Sequence, residues 1–286
     1  MKRQVTLGNS GKSVTAIGLG AMPLSLDTRP DEKTAFEVIR AFVDNGGNFI
    51  DTANVYCRDD NDVGHNEQLI YKALNSFGKL DEVFVATKGG LTRPRGRWDS
   101  NATPQWLRAS CEKSLRDLNT DSIFLYQLHA PDPNVPLAES VGELARLKQE
   151  GKIQHIGLSN VNSREIMTAL TITPVLSVQN RCNMFERKSF ENGVVDLCAS
   201  ENIVFIPHSP VGGHFDHRKR AQSRPVKKVS DKHGVSPYQI MLAWLLQKGD
   251  HILPIPGASK VSSITDSLKA LHVRLDNEDI QLLDKP

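Results

Sequence analysis

Ile17-Gly18-Leu19-Gly20-Ala21-Met22 is the first strand-like run to bear glycines at a dinucleotide-loop spacing. An open doubly wound sheet normally announces a dinucleotide site as G-x-G-x-x-G after its first strand. Here Gly18 and Gly20 keep the first two positions and the third glycine is absent. That pattern argues against the open sheet. Short apolar runs recur at 48–50, 83–87, 123–128, 154–158, 175–178, 203–206 and 252–255, as expected of strands buried on both faces. Helical stripes fill the intervals. Ala35, Phe36, Val38, Ile39, Phe42 and Val43 repeat at helical spacing before Gly46-Gly47. Thr103-Pro104 starts a stripe of Leu107, Cys111, Leu115 and Leu118; Leu137, Val141, Leu144 and Leu147 form another, closed by Gly151. Asn162 with Glu165, and Ser236-Pro237 with Gln239, have capping-box spacing.

Eight strands alternating with helices, without a break in composition, predict an α/β fold: one (β/α)8 TIM barrel spanning 1–286. The length of 286 residues fits a single barrel domain. Ahead of it, residues 5–14 read as a β-hairpin with its turn at 9–11, placed to plug one barrel mouth.

Lys plus Arg (35) nearly balances Asp plus Glu (33), which gives no electrostatic reason to expect a nucleic-acid or membrane partner. The four cysteines, at 57, 111, 182 and 198, contain no C-x-x-C pair, so neither a disulfide scaffold nor a cysteine-only zinc site is expected. No apolar run reaches the roughly 20 residues of a membrane span, and the start turns polar where a signal peptide is greasy. The expected setting is the cytoplasm, with reduced thiols and a monomeric chain.

In such a barrel, function sits at the carboxyl ends of the strands. The residues found there are Asp51 and Tyr56, Lys88, His129, Ser159 and Asn160, Gln179 and Asn180, then His208 and Ser209. Taken singly, each has an ordinary reading as a turn residue, a rim charge or a packed histidine. Together they put a phenol, an ammonium, a carboxylate and an imidazole on one rim. A phenol is a poor acid at neutral pH; an adjacent ammonium lowers its pKa, and a carboxylate holds the ammonium in place. An imidazole donating to a carbonyl oxygen orients it and stabilises developing negative charge. The set suits protonating a carbonyl oxygen while hydride arrives at carbon, and hydride needs a nicotinamide donor. Ser159, Asn160 and Gln179 suit a carboxamide. The loop Ser209-Pro210-Val211-Gly212-Gly213 offers backbone N–H groups to a pyrophosphate. Ser259 and Lys260 stand at the start of a helix, a ready anion site. Hydrolysis fits poorly, because no Ser or Cys is paired with a base. A glycosidase needs a second carboxylate, and Asp51 has none.

This ordered series resembles the aldo-keto reductases, NADP(H)-dependent (β/α)8 barrels, essentially end to end. The resemblance rests on Gly18-Leu-Gly-Ala-Met22, Phe49-Ile-Asp-Thr-Ala-Asn-Val-Tyr56, Asn66-Glu67, Ala86-Thr-Lys88 and Leu128-His129. It continues through Gly151-Lys-Ile-Gln-His-Ile-Gly-Leu-Ser-Asn160, Val178-Gln-Asn180, His208-Ser-Pro-Val-Gly-Gly213 and Ile255-Pro-Gly-Ala-Ser-Lys260. It implies a catalytic tetrad of Asp51, Tyr56, Lys88 and His129, with Tyr56 the general acid, Lys88 its tuner, Asp51 the partner of Lys88 and His129 the carbonyl orienter. It further implies cofactor contacts from Gly20, Ala21, Met22, Ser159, Asn160, Gln179, His208, Ser209, Pro210, Val211, Gly213, Ser259, Lys260, Ser263, Asp266 and Ser267.

The chain departs from the family pattern at several of these. His208 stands where a Tyr usually stacks on the nicotinamide. Ser263 stands where an Arg often reads the adenosine 2′-phosphate, which leaves NAD(H) as an alternative cofactor. Asp266 and Ser267 take the adenine-contact positions. A polar insertion, 57–65, follows Tyr56 and either shapes the substrate mouth or forms a solvated loop. The short C-terminal end implies an open pocket for small carbonyl compounds, with Trp98 as a candidate apolar wall. The expected activity is NADPH-dependent reduction of aldehydes and ketones; NAD-linked oxidation of a sugar or alcohol and a nucleotide-sensing regulatory subunit are the alternatives.

Overall fold

A computed structural model describes residues 3–285, and of residues 214 and 215 the backbone only. The first strands, β1 (Gln4–Thr6) and β2 (Ser13–Thr15), form an antiparallel hairpin with Val5 opposite Val14. Its turn, Gly8–Ser10, ends on Gly11 in the left-handed region, which glycine enters without strain. The hairpin lies against the amino-terminal ends of the barrel strands. Thr15 N–H donates to Asn48 Oδ1 at 2.9 Å and Asn202 Nδ2 to Asn9 Oδ1 at 2.5 Å. It therefore stoppers the mouth opposite the polar rim.

Seven parallel strands follow in chain order around the barrel: β3 (Leu19–Gly20), β4 (Phe49–Asp51), β5 (Phe84–Gly89), β8 (Ile123–Leu128), β9 (Ile153–Ser159), β10 (Ser177–Arg181) and β11 (Val204–His208). Between β5 and β8, the strands β6 (Leu91–Thr92) and β7 (Asp99–Ser100) form a small antiparallel hairpin over the rim. The expected eighth strand at 252–255 is not a regular strand, although the segment occupies the closing position. Leu253 N–H donates to Phe205 O at 2.9 Å on one side, and Gly18 and Gly20 N–H donate to Pro254 and Pro256 O at 3.0 Å on the other. Pro256 has no N–H to return a bond to Gly18, so proline chemistry halves the ladder while the barrel still closes.

The helices are α1 (Glu32–Asp44), α2 (His65–Ser76), α3 (Pro104–Asp117), α4 (Leu137–Gln149), α5 (Ser163–Leu170), α6 (Lys188–Glu191), α7 (Val194–Ser200), α8 (Gly213–Ala221), α9 (Arg224–His233), α10 (Pro237–Gln247), α11 (Val261–Lys269) and α12 (Asn277–Leu283). Their apolar stripes cover the outside of the sheet. Leu107 and Cys111 of α3, Val141, Leu144 and Leu147 of α4 and Ile166 of α5 pack in one cluster with Tyr126, Leu128, Ile156 and Leu158 of β8 and β9. Burying each large aliphatic side chain contributes roughly 1.5–3 kcal/mol. Gly47 is required after α1, because a Cβ there would overlap the Phe42 ring. Asn162 and Glu165 form the expected capping box at α5. Ser236 caps α10, but the Gln239 amide turns to Asp266 instead of returning to the cap, so no box forms there. No helix among the described residues is long and apolar enough to cross a membrane.

Candidate active site

Each barrel strand delivers its rim residue by the two-residue alternation of side chains. Asp51 ends β4, Lys88 lies in β5, and His129 follows β8. Their side chains meet. Lys88 Nζ donates to Asp51 Oδ2 at 2.6 Å, to Thr52 O at 2.9 Å and to Tyr56 Oη at 2.9 Å. The ammonium is fully buried, with a relative exposure of 0%. The imidazole of His129 meets the Tyr56 ring edge-on, with centroids 5.8 Å apart. Trp98 packs against both rings, with centroids 6.4 Å from each.

Electrostatics sort these groups into states. Burial pushes the Tyr56 phenol above its ordinary value; the Lys88 ammonium pulls it back only in part, and Asp51 opposes that pull. The expected net lowering of the phenol is thus not what the folded site gives, because desolvation exceeds the charge effect. The phenol remains protonated at neutral pH. For Lys88 the largest influence, burial, disfavours the charge, yet Asp51 and Tyr56 together hold its pKa above the ordinary value. His129 is held well below its ordinary value by burial, Lys88 and His208, so its imidazole is neutral. His208 is pushed down to about 4 by burial and by Lys88.

A second tier of amides supports the carboxylate. Asp51 Oδ1 accepts from Gln179 Nε2 at 2.7 Å and from Gln127 Nε2 at 3.2 Å. Gln127 is absent from the sequence expectations. It lies two residues before His129, on the same face of β8, and opposite Lys88 in the ladder. Gly157 is its counterpart, since a Cβ there would come within 2.7 Å of Gln127 Cγ. A polar residue two positions from a rim histidine, facing a glycine, was the available signal.

Glu67, at the start of α2, is a buried carboxyl that accepts from Thr87 Oγ1 at 2.5 Å, and burial pushes its pKa up to about 7. The unfolded chain loses this proton near 4.5 and the folded one near 7, so the contribution to stability falls as pH rises between those values. We expect Glu67→Gln to remove that slope, gaining on the wild type by about 3 kcal/mol from pH 4.5 to pH 8. Urea denaturation of both proteins across that range measures it, and parallel curves would refute it.

Of the residues expected to hold a cofactor, Gln179 bonds Asp51, and Asn160 donates to the His129 carbonyl at 2.9 Å. Gln179 uses its NH2 group on Asp51 and, at 3.3 Å, on Gln127 Oε1, which leaves its carbonyl oxygen as an acceptor. Ser159 is buried, and its Oγ accepts from Asn160 Nδ2 at 3.1 Å, keeping a hydroxyl proton to donate. One acceptor and one donor match the two ends of a carboxamide. Asn160 and Ser209 hold left-handed backbones, with φ of 58° and 53°. For non-glycine residues this strain costs about 1 kcal/mol or more and is concentrated at functional sites. Gly212 (φ 100°) and Gly213 (φ 73°) let the 209–213 loop turn into α8, and a Cβ on Gly213 would meet Ser209 Oγ at 3.1 Å. Arg181 flanks this loop, donating to Ser209 Oγ at 3.3 Å and Gly212 O at 3.4 Å while paired with Glu186. The donor set therefore fits a nicotinamide dinucleotide.

Near the first strand, Asn66 Nδ2 donates to Ala21 O at 2.9 Å, anchoring the Gly20-Ala21-Met22 turn. Met22 packs with Tyr56, Ala53 and Val55. Lys260 precedes α11 and is exposed, as is Ser263, while Ser259 is half-buried. Ser267 is buried. Asp266, expected at the adenine, accepts from Ser236 Oγ at 2.5 Å and Gln239 Nε2 at 2.6 Å, tying α11 to the start of α10 and leaving each oxygen a further lone pair.

A family model described as the aldo/keto reductase family matches residues 16–286. A probable aldo-keto reductase of Glycine max is 32% identical over 308 residues, covering 97% of this chain and 86% of the relative. The solved structure of a thermostable aldo-keto reductase in complex with the inhibitor epalrestat superposes with a TM-score of 0.84 at 30% identity, covering 99% of this chain and 98% of that one. An aldo-keto reductase from Klebsiella pneumoniae in complex with NADPH shares the fold, with a TM-score of 0.81 at 24% identity over 100% of this chain and 95% of its own. With the family match running from the end of the hairpin through the whole barrel, the chain belongs to the aldo/keto reductase family.

Proposed function

We propose that this chain reduces small aldehydes and ketones to alcohols with NADPH. The observation behind this reading is the buried relay Asp51–Lys88–Tyr56 with the His129 ring against the phenol. Bound NADPH supplies the hydride that no side chain can. Tyr56 Oη gives its proton to the carbonyl oxygen as carbon is reduced, and Lys88, 2.9 Å away, stabilises the phenolate left behind. Asp51 keeps the ammonium charged and aimed, and the two glutamine amides keep Asp51 aimed. Neutral His129 serves as a hydrogen-bond donor to the carbonyl oxygen, and its Nδ1 is buried with no partner among the described residues.

Ser159, Asn160 and Gln179 would hold the carboxamide, His208 would stack on the nicotinamide, and Ser209, Pro210, Val211 and Gly213 would bind the pyrophosphate. Gly20, Ala21 and Met22 would add further cofactor contacts, and Ser259, Lys260, Ser263, Asp266 and Ser267 would take the adenosine end. Trp98 forms the apolar substrate wall. The near balance of charge (+2) and the four buried free cysteines support a cytoplasmic setting in which the partner is the small-molecule substrate and not a nucleic acid or membrane.

NAD-linked oxidation of an alcohol is a second reading, favoured by the exposed Ser263 where the family often has Arg. Fluorescence titration with NADPH and NADH, followed by steady-state rates on a carbonyl panel in both directions, separates the two. Tighter NADPH binding with aldehyde turnover is the expected result. A preference for NAD supports the second reading, and nucleotide binding without any turnover leaves only a sensing role.

A further inference from the structure

Arg93 follows β6 in the loop that leads to Trp98, and its relative exposure is 5%. Only one of its guanidinium nitrogens has acceptors: Nη2 donates to the carbonyls of Cys57 at 3.2 Å and Arg58 at 3.1 Å. Nε and Nη1 are buried without a partner among the described residues. The Trp98 ring stacks over the guanidinium, 3.9 Å from its central carbon. Stacking satisfies the flat face of a guanidinium, whereas its donors lie in the plane. A tie between the 57–58 carbonyls and the 93–98 loop needs one nitrogen. The other two are desolvated charged donors, which are costly unless something supplies acceptors.

The surroundings say what that something is. Trp98 stacks on Arg93 and meets the Tyr56 and His129 rings at steep angles, so one indole touches both the guanidinium and the ring of the reacting phenol. A cavity of about 350 Å³ borders Arg93, walled by Val55, Val63, Pro94 and Trp106. Asp60 also lines it, but is exposed to water, which screens its charge far more than that of buried Arg93. Trp98 is 45% exposed, in the 93–98 loop immediately before β7.

We propose that Arg93 is a specificity residue: the carbonyl substrates preferred at this site carry an oxyanion, a carboxylate or a phosphate monoester, about one aromatic ring away from the carbonyl, and Arg93 binds it through Nε and Nη1. This rests on the carbonyl-reductase reading. Because Trp98 stacks on this guanidinium, 3.9 Å from its central carbon, an anion bound in the guanidinium plane changes the indole's surroundings and its emission.

The test compares benzaldehyde, 4-carboxybenzaldehyde and 4-formylphenyl phosphate in the wild type, Arg93→Gln and Arg93→Lys. The wild type is expected to favour at least one anionic aldehyde over benzaldehyde by tenfold or more in kcat/KM, mainly through KM. Arg93→Gln reduces that ratio at least tenfold, and Arg93→Lys restores part of it. The better of the two anionic aldehydes identifies the oxyanion. A wild-type ratio near one, or an equal loss on all three substrates in Arg93→Gln, overturns the proposal while leaving carbonyl reduction intact. A readout independent of turnover is tryptophan emission during titration with benzoate or phenyl phosphate. A saturable change, lost in Trp98→Phe, is expected, and none up to tens of millimolar overturns the proposal. If no aldehyde is reduced, the catalytic reading fails and the titration alone decides; if Arg93→Gln does not fold, the wild-type preference and the titration decide together.

Discussion

Tyr56→Phe is expected to lower kcat for aldehyde reduction by roughly 10²–10⁴-fold, the usual worth of a positioned general acid, while NADPH binding stays within about twofold. The substitution removes one oxygen and little else. The ring keeps its edge contacts with His129 and Trp98, with centroids at 5.8 Å and 6.4 Å. Lys88 loses one acceptor and keeps Asp51 at 2.6 Å and Thr52 O at 2.9 Å, so the loss of stability is about 1 kcal/mol. The wild-type pH profile follows from the same geometry. An acid must be protonated to donate, and burial holds the phenol above its ordinary 10, so reduction persists through pH 9 and fails only above it. His129 titrates well below 6.5, so no break is expected near that pH. Stopped-flow single turnovers from pH 6 to 10 check both statements. Full activity in the phenylalanine variant, or a limb at pH 6.5, would refute the assignment.

The rim was legible because strand ends leave a signature. Apolar runs of three to six residues stop at Asp51, Lys88, His129 and Ser159, and the barrel topology brings those stops to one level. Less legible was anything that depends on which way an interior side chain turns. Gln127 looked like part of an apolar run, and only its register opposite Lys88 and Gly157 reveals it as a support for Asp51. Asp266, expected at the adenine, also ties α11 to the start of α10 through both its oxygens, a second role that its spacing does not reveal. Segment 57–65 could be read as a loop or a wall; Asp60 and Val63 place it along the cavity that Arg93 shares. Phenol acidity was misjudged for a related reason. Proximity of the ammonium follows from the spacing, but the depth of burial, which sets the sign of the net shift, follows from packing.

Lys88→Met is the substitution with the largest combined effect, and its stability and activity losses have separate causes. Lys88 and Asp51 are both buried and bonded at 2.6 Å. A buried ion pair is a modest stabiliser as a unit, yet removing one partner strands the other and costs about 3–5 kcal/mol. Methionine fills the volume, so the loss comes from Asp51, left with only the Gln127 and Gln179 amides as donors. For a chain this size the melting temperature falls by roughly 10 °C. The double variant Asp51→Asn/Lys88→Met removes the stranded charge and is expected to recover most of that loss without recovering activity, because no cation remains to stabilise the phenolate. The pH dependence separates these cases. In the wild type the folded-state pKa of Lys88 is raised, so its stabilising contribution is complete below 10.5 and is lost only as pH rises through the higher folded value. The deficit of Lys88→Met is therefore constant from pH 7 to 9. Chemical denaturation of all three proteins at pH 7 and pH 9 reads this directly. A deficit that changes between those values, or a double variant no more stable than the single, would place the cost elsewhere than in the stranded charge.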